Sequence, residues 1–338
     1  NEILKEAVEA IKAGIYPKLI PAGSSGSYFV FDKNGQYLAV FKPKDEEPFA
    51  AQNPKWPKFF QRILCFCCFG RACLIPNNGY LSETGASFVD DRFGLNVVPK
   101  TCVVKLVSPT FFYGRGCFSK DISPKEGSFQ VFVHGYRSAT EVLAEWSLKG
   151  ENAISLEENE TFLQLFHKMC VLDYVIRNTD RHSDNWLIRH VPGEEISIAA
   201  IDNGLAFPVK HPESASRFRQ FPFNWAELSF AKQKLHPQLR ERLLKLLTPL
   251  FVHNLCDDLK TLFRHDKSTS CFAYSQIRVL RGQLYNLRDG LEANESPSEW
   301  VKREPILVTR KYRKKPTTND WEKCFRKRET DYTHRGCC

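Results

Sequence analysis

The sequence predicts an α+β fold in two parts, an N-terminal part built on an antiparallel sheet and a mostly helical C-terminal part. In the first part, the apolar runs 28–31 and 36–42 flank Asn34-Gly35, and this arrangement indicates a β-hairpin. In the second part, apolar residues recur at helical spacing over four segments: 162–176, 237–250, 253–263 and 272–291. A chain of 338 residues can bury a sizeable core, and its apolar content of 42% is ordinary.

The polar loop after the first of these helices carries Asp180 five positions before Asn185. Two short apolar strands, 186–188 and 196–201, then lead to Asp202. This is the spacing of a kinase catalytic loop and its metal-binding aspartate. Asp180 can accept a proton from an attacking hydroxyl, while Asn185 and Asp202 offer the hard oxygen ligands that suit Mg²⁺ on ATP phosphates. Each motif alone is common by chance, but their order along the chain favours a kinase site.

A loop of small residues precedes the N-terminal hairpin and could cradle phosphates through its backbone N–H groups and hydroxyls. Its residues are Gly23, Ser24, Ser25, Gly26 and Ser27. Lys42 ends the second strand of the hairpin, where a lysine can reach the phosphates of ATP as a point charge. The alternative is a flexible turn with a surface lysine. The sequence has no GxxxxGK[ST] motif, which excludes a P-loop NTPase.

A kinase also holds its ATP-binding lysine with a carboxylate. Glu83, on a helix predicted over 80–89, is the candidate for an ion pair with Lys42. Glu46 and Glu47 lie closer to Lys42 in sequence, but we expect these two carboxylates to face substrate or solvent.

The predicted hinge is the apolar strand 129–136, in which the backbone of Val133 would serve adenine. A shorter strand is predicted at 96–98. The sequence therefore predicts one bilobal, protein-kinase-like catalytic domain followed by a basic, flexible tail. The predicted bounds are 1–133 for the N-lobe, 134–300 for the C-lobe and 301–338 for the tail.

Seven segments together resemble the type II phosphatidylinositol 4-kinases. They are GSSGSYFV, VFKPKDEEP, NPKW, CCFGRACLIPNNGYLSE, GSFQVFV, VLDYVIRNTDRHSDNWLI and AAIDNGLAFPVKHPES. A protein kinase would show HRD and DFG where this chain has RNTD and IDNG. The chain departs from the family at the cysteine-rich segment, which usually reads CCPCC. It departs again at Arg181-His182, where Arg-Gly is usual, and at Glu227, where a tryptophan is usual.

The resemblance implies ATP-dependent phosphorylation of phosphatidylinositol at the 4-hydroxyl of its inositol ring, on a membrane and with Mg²⁺. It implies that Lys42 is the ATP lysine, Asp180 the catalytic aspartate and Asp202 the metal ligand of the activation segment. The segment Glu47, Pro48, Phe49 matches a family segment near the substrate. The implied location is the cytoplasmic face of Golgi, trans-Golgi and endosomal membranes, with the plasma membrane as an alternative. The implied form is a peripheral, acyl-anchored monomer.

Twelve cysteines without a visible secretory signal argue against a disulfide framework. Four of them crowd into one apolar segment flanked by basic residues: Cys65, Cys67, Cys68 and Cys73. This composition favours S-palmitoylation, because acyl chains, apolar insertion and attraction to anionic headgroups then act together. A buried cysteine cluster is an alternative, and zinc is disfavoured because no histidine or second CxxC completes a site. Cys337 and Cys338 are either further lipidation sites or a truncation end.

Positive charge is concentrated in residues 301–338, which hold 12 Lys/Arg against 5 Asp/Glu and so account for +7 of the net charge of +9. Both a solvated tail and attraction to an anionic membrane surface fit this composition. No motif supports a nucleic-acid partner. No apolar run approaches the 18 or more residues of a membrane span.

Two other functions are considered. An atypical protein-serine kinase is disfavoured because a soluble substrate needs no apolar, cysteine-rich membrane face. A non-catalytic membrane scaffold with a kinase fold is disfavoured because the four catalytic candidates are intact: Lys42, Asp180, Asn185 and Asp202.

Overall fold

The computed structural model describes residues 2–23, 25–47, 72–114, 122–150, 153–215 and 221–329. The chain divides into two compact units. The first comprises Asn1–Arg71, Pro76–Ser87 and Pro99–His134, and the second comprises Ala72–Ile75, Phe88–Val98 and Gly135–Cys338. This division differs from the predicted lobes, because two short segments ahead of residue 133 belong to the second unit.

The first unit contains a five-stranded sheet in which all neighbouring strands are antiparallel. In spatial order the strands are Lys18–Leu19, Tyr28–Phe31, Tyr37–Pro43, Lys125–Val131 and Thr101–Leu106. The helix Glu2–Lys12 packs Ala7 against a core that includes Tyr28, Phe41 and Phe129. Alternation along the strands supplies this core, because side chains of one strand point to opposite faces of the sheet.

The predicted hairpin is confirmed, with its strands at Tyr28–Phe31 and Tyr37–Pro43. Its turn is held by Asp32, whose Oδ1 accepts hydrogen bonds from the backbone N–H groups of Asn34 and Gln36, both at 2.8 Å. An aspartate that binds the backbone N–H two residues on is a common turn device. The hairpin thereby places Lys42 near the end of its second strand.

The predicted helix is longer than expected and spans Gly79–Phe93. The strand predicted at 96–98 is wrong, because these residues form no ladder. Their backbone is satisfied elsewhere: Asp90 Oδ1 accepts from Val97 N at 2.9 Å, and Val97 O accepts from Ala200 N at 2.7 Å. An apolar segment whose backbone groups are paired in this way needs no neighbouring strand.

The second unit contains a three-stranded antiparallel sheet in the order Arg137–Ser138, Trp186–Val191 and Glu195–Ala200. Its helices are Ala139–Lys149, Leu156–Ile176, Pro212–Ala215, Pro237–Leu246, Pro249–Phe263, Ala273–Glu292, Pro297–Trp300 and Trp321–Cys324. The helix predicted to run to residue 250 ends at Leu246, because Thr248 and Pro249 begin the next helix. Across the described parts of the chain, no helix is both long enough and apolar enough to span a membrane.

The predicted flexible tail is corrected for residues 301–329. Strand Ile306–Arg310 pairs antiparallel with Phe325–Glu329, and the first of these strands packs on the helix Ala273–Glu292. Gly282 permits this contact, since a Cβ there would lie 1.8 Å from the carbonyl oxygen of Ile306. Val308 is buried at the centre of its strand, so these residues form part of a packed sheet although their basic composition favoured a solvated tail.

Candidate active site

The loop that carries Asp180 begins where the helix Leu156–Ile176 ends at Arg177, in the left-handed conformation with φ 46° and ψ 57°. Asn178 N donates to Asp173 O at 2.9 Å, and Asn178 Oδ1 accepts from Asp180 N at the same distance. An asparagine side chain that binds backbone two residues on makes a local turn. This turn fixes the backbone of Asp180, whose side chain is half-buried.

Asn185 closes the loop. Its Nδ2 donates to Asp180 O at 2.7 Å, and its backbone N–H donates to His182 O at 2.9 Å. Because the amide nitrogen is used within the loop, the amide oxygen is the atom that can act as a ligand. Asn185 O also accepts from Ile201 N at 3.1 Å, which joins the loop to the segment before Asp202.

Arg181 makes the side-chain contacts that hold this loop in place, a role that the sequence alone does not indicate. Its guanidinium donates to both carboxylate oxygens of Asp173, with contacts at 2.9–3.1 Å, and both side chains are fully buried. It also donates to the carbonyl oxygens of Asn185 and Ile201 and to Oδ1 of Asn203. One buried cation therefore joins the loop of Asp180 and Asn185 to the segment that contains Asp202. The guanidinium has several N–H donors in a fixed planar arrangement, so it can bind a carboxylate and backbone carbonyl oxygens at the same time. A lysine ammonium is a point charge and lacks this geometry.

Asp202 follows the strand Glu195–Ala200 and has a left-handed backbone with φ 53° and ψ 53°. Its side chain is exposed, whereas Ala200 and Asn203 on either side of this segment are buried. Aspartate is enriched in this conformation relative to most residues. The turn leaves Asp202 exposed as a residue, and its carboxylate is a hard oxygen ligand of the kind that a divalent cation prefers.

In the first unit, the ammonium of Lys42 is ion-paired with Oε1 of Glu83. The side chain of Lys42 is 20% exposed and that of Glu83 is 3% exposed. The strand Tyr37–Pro43 positions the lysine, and the helix Gly79–Phe93 positions the glutamate. The side chain of Lys42 therefore stays partly exposed beside this ion pair.

The predicted role of Glu47 in substrate binding stays a prediction, while the structure shows what its carboxylate contacts within the first unit. Its two carboxylate oxygens accept from the backbone N–H groups of Gly79 and Tyr80, at 3.1 and 2.9 Å. These are the first residues of the helix that carries Glu83, so Glu47 satisfies donors that a helix start leaves unpaired. Burial raises the pKa of Glu47 to about 7, against the lowering effect of these two backbone donors.

Glu46 is also engaged internally, rather than facing substrate or solvent as expected. Its carboxylate accepts from Lys125 Nζ at 2.7 Å and from Tyr28 Oη at 2.6 Å, and all three side chains are buried. Its backbone O accepts from Gly26 N at 2.8 Å, which anchors the small-residue loop. Burial raises the pKa of the Glu46 carboxyl, although both partners oppose this effect. Lys125 was missed because it lies 79 positions away in sequence.

The other predicted residues are placed as follows. Gly23, with φ 75°, and Ser25, Gly26 and Ser27 lie in the loop before the first hairpin strand. Val133 is half-buried and follows the strand Lys125–Val131. Cys73 is fully buried, and its acylation stays a prediction. Six predicted positions lie outside the described residues: Ser24, Pro48, Phe49, Cys65, Cys67 and Cys68; so do Cys337 and Cys338.

The donor set fits a divalent cation. The Asn185 amide oxygen and the Asp202 carboxylate are hard oxygen ligands, and Mg²⁺ typically takes one or two protein ligands together with phosphates and water. A lysine–glutamate pair and an Asp–Asn–Asp loop are the parts that kinases use to position ATP and an attacking hydroxyl. The fold and these side chains define the protein as a kinase.

The family model for phosphatidylinositol 3- and 4-kinase matches residues 23–244, and the chain belongs to this family. It is 43% identical to the phosphatidylinositol 4-kinase type 2-beta of Danio rerio, over 92% of this chain and 69% of that protein. It is 41% identical to the type 2-alpha kinase of Danio rerio, over 98% of this chain and 82% of that protein. Among solved structures, hydra Fam20 with sugar matches 84% of this chain and 87% of that chain, with a TM-score of 0.47 and 15% identity.

The family model and the two relatives confirm the resemblance found in the sequence, and the antiparallel sheets and helices confirm the α+β fold class. As kinases, members of the family use ATP and a divalent metal ion.

Proposed function

We propose that this protein is a lipid kinase that transfers the γ-phosphate of ATP to the 4-hydroxyl of phosphatidylinositol in a membrane. The observation that carries this proposal is the loop of Asp180 and Asn185, joined to the Asp202 segment through the buried guanidinium of Arg181. Its support is the identity of 43% and 41% to relatives named phosphatidylinositol 4-kinase type 2.

Each candidate residue has a defined task in this reaction. Asp180 orients the 4-hydroxyl and accepts its proton, a contribution that is typically worth about 10²–10⁴-fold in rate. Lys42 holds an ATP phosphate, and Glu83 keeps the ammonium in place. Asn185 and Asp202 would hold Mg²⁺, which would offset negative charge on the phosphates. The transition state of phosphoryl transfer is loose, so positioning of the reactants by these residues supplies most of the rate enhancement.

The direct test is phosphorylation of phosphatidylinositol in mixed vesicles by the purified full chain with ATP and Mg²⁺, followed by identification of the phosphorylated ring position. We expect phosphatidylinositol 4-phosphate from the wild type and at least a 100-fold lower rate from Asp180→Ala. Asp184→Ala is the matched control, because this neighbouring aspartate is exposed and bonded to Thr140 at 2.7 Å. A product phosphorylated elsewhere, or peptide phosphorylation without lipid phosphorylation, would contradict the proposal.

Membrane attachment is proposed through acylation of Cys65, Cys67 and Cys68, at the cytoplasmic face of Golgi and endosomal membranes. The support is the apolar, base-flanked sequence around these cysteines, because two or more acyl chains anchor a protein stably. Replacing the three with serine should abolish palmitate labelling and move the protein from the membrane to the soluble fraction. Cys102→Ser with Cys271→Ser is the control, since these two cysteines are exposed elsewhere. Retained labelling in the three-serine variant would reject this segment as the anchor.

A further inference from the structure

The C-terminal hairpin is the strand pair of Ile306–Arg310 and Phe325–Glu329, and it has one packed and one exposed face. On the inner face, Val308 is buried and lies directly across from Lys327, whose ammonium sits 4.0 Å from the centre of the Tyr285 ring. Tyr285 belongs to the helix Ala273–Glu292, so this face packs against the body of the second unit. Strand side chains alternate between faces, so the neighbours of Lys327 project the other way.

Those neighbours are Arg326 and Arg328, which lie across from Thr309 and Leu307. Both arginines are exposed. The connection between the two strands adds Arg313, Lys314 and Lys315, which are exposed as well. We name these five residues the basic hairpin surface. Tyr312, next to this run, is 71% exposed.

Three cations close to the basic hairpin surface have acidic partners, whereas Lys311 donates to the backbone carbonyl oxygen of Glu322. Arg310 pairs with Asp257 at 3.0 Å, Lys323 with Asp320 at 3.3 Å, and Lys327 with Glu322 at 3.7 Å. For the five residues of the basic hairpin surface, no carboxylate among the described residues lies within the 4.0 Å of an ion pair. Within the part of the chain that the structure describes, five positive charges therefore lie on one small element without an ion-pair partner.

We propose that the basic hairpin surface is a docking site for an anionic lipid bilayer. The proposal rests on the proposed function, because a kinase whose substrate is a bilayer lipid must be held at the bilayer. Lysine and arginine near an anionic leaflet each strengthen binding roughly fivefold. Tyr312 suits the same occupant, since tyrosine favours the level of the lipid headgroups. Because the hairpin is folded against the helix Ala273–Glu292, little ordering is needed for its charges to contact a flat surface.

The test is flotation of the full, non-acylated chain with vesicles of phosphatidylcholine alone or with 30% phosphatidylserine, in the absence of ATP and phosphatidylinositol. We expect binding to the anionic vesicles that weakens with salt, and little binding to the neutral ones. The variant Arg313→Gln, Arg326→Gln, Arg328→Gln should partition about 100-fold less onto anionic vesicles. The control is Arg92→Gln, Arg137→Gln, Arg189→Gln, which removes the same charge from arginines paired with Asp258, Glu145 and Glu195.

Equal vesicle binding by the two triple variants, or equal binding of the wild type to neutral vesicles, would overturn the proposal. Loss of binding to RNA with unchanged vesicle binding would overturn it in favour of a nucleic acid. Lys314→Gln with Lys315→Gln repeats the test in the connection, where no strand pairing is disturbed, and should lower binding about 25-fold. Kinase activity on detergent-dispersed lipid separates the docking proposal from the proposed function. The variant Arg313→Gln, Arg326→Gln, Arg328→Gln should retain this activity, because no bilayer is present. Absence of that activity in the wild type would refute the proposed function and leave the flotation result to stand alone.

Discussion

The ammonium of Lys42 is ion-paired with the carboxylate of Glu83, although the two residues lie 41 positions apart in the sequence. The strand and the helix that carry them are joined a second time by Glu47, which binds the first backbone N–H groups of the helix. The position of Glu83 relative to Lys42 therefore also depends on Glu47, whose carboxylate interacts electrostatically with both residues.

Lys42→Met should lower kcat/KM for ATP about 100-fold, and Glu83→Gln about tenfold, because small displacements at a reaction centre are costly. Since the pair acts as a unit, the double variant should lose less than the product of the two effects. The measurement is steady-state lipid phosphorylation at varied ATP. The control pair, Lys245→Met and Glu241→Gln, removes an exposed ion pair of 2.7 Å and should change little. Fully additive losses at Lys42 and Glu83 would show that these residues act separately.

Glu47→Ala should destabilise the start of the helix Gly79–Phe93 by about 0.5–2 kcal/mol and raise KM for ATP, because Glu83 loses its fixed position. Glu47→Gln keeps an acceptor oxygen and should recover much of both effects. Gly79→Ala is a second probe, since its Cβ would lie 2.9 Å from Glu47 Oε1 and would push the carboxylate away. A Glu47→Ala variant with lowered stability and unchanged KM would limit Glu47 to a structural role.

The raised pKa of Glu47, about 7, also predicts a dependence of stability on pH. A carboxyl with a folded-state pKa above its unfolded value of 4.5 favours folding when protonated. This stabilisation is present below pH 4.5 and is lost as pH rises through 7. Relative to Glu47→Gln, the wild type should therefore lose up to about 3 kcal/mol of unfolding free energy over this range. Urea unfolding of both proteins at pH 5, 6, 7 and 8 measures this loss. A difference in unfolding free energy that stays constant with pH would contradict the prediction.

Arg181→Met should destabilise the second unit by about 3–5 kcal/mol, because it leaves the buried carboxylate of Asp173 without its cation. The double variant Arg181→Met, Asp173→Leu should recover part of this loss, since neither charge then remains buried. Arg189→Met, which removes an exposed pair with Glu195 at 3.4 Å, should cost no more than about 1 kcal/mol. Thermal and urea unfolding measure all three variants, and equal losses for Arg181 and Arg189 would refute the assigned role.

His167 should make the protein sensitive to acid. Burial lowers the pKa of His167 to about 4, even though its ring nitrogen lies 3.0 Å from Phe230 O. A histidine with a lowered pKa favours folding when neutral, so this stabilisation is present above pH 6.5 and is lost as pH falls through 4. Compared with His167→Gln, the wild type should lose up to about 3 kcal/mol across that range. Parallel unfolding curves for the two proteins at every pH would contradict the prediction.

The elements that could be predicted from sequence are those determined by neighbouring residues. Asn34-Gly35 specifies a turn by backbone conformation, and the apolar periodicity of the helix Leu156–Ile176 specifies one buried face. The prediction of a strand at 96–98 was wrong because contacts with residues distant in the sequence determine this segment. Composition favoured a ladder there, but Asp90 and Ala200 bind that backbone from distant positions.

The candidate site also has features that the sequence predicts and features that depend on tertiary contacts. The sequence by itself determined the spacing of Asp180, Asn185 and Asp202, because a loop and a strand pair of those lengths are local features. Only the tertiary structure decided what Glu46 and Glu47 contact, since their partners lie 79 and 32–33 positions away. It also decided that residues 301–329 of the basic C-terminal segment include a folded strand pair. Charge composition describes how a segment interacts with water, whereas burial of Val308 and the ion pairs of its neighbours depend on a helix elsewhere in the chain.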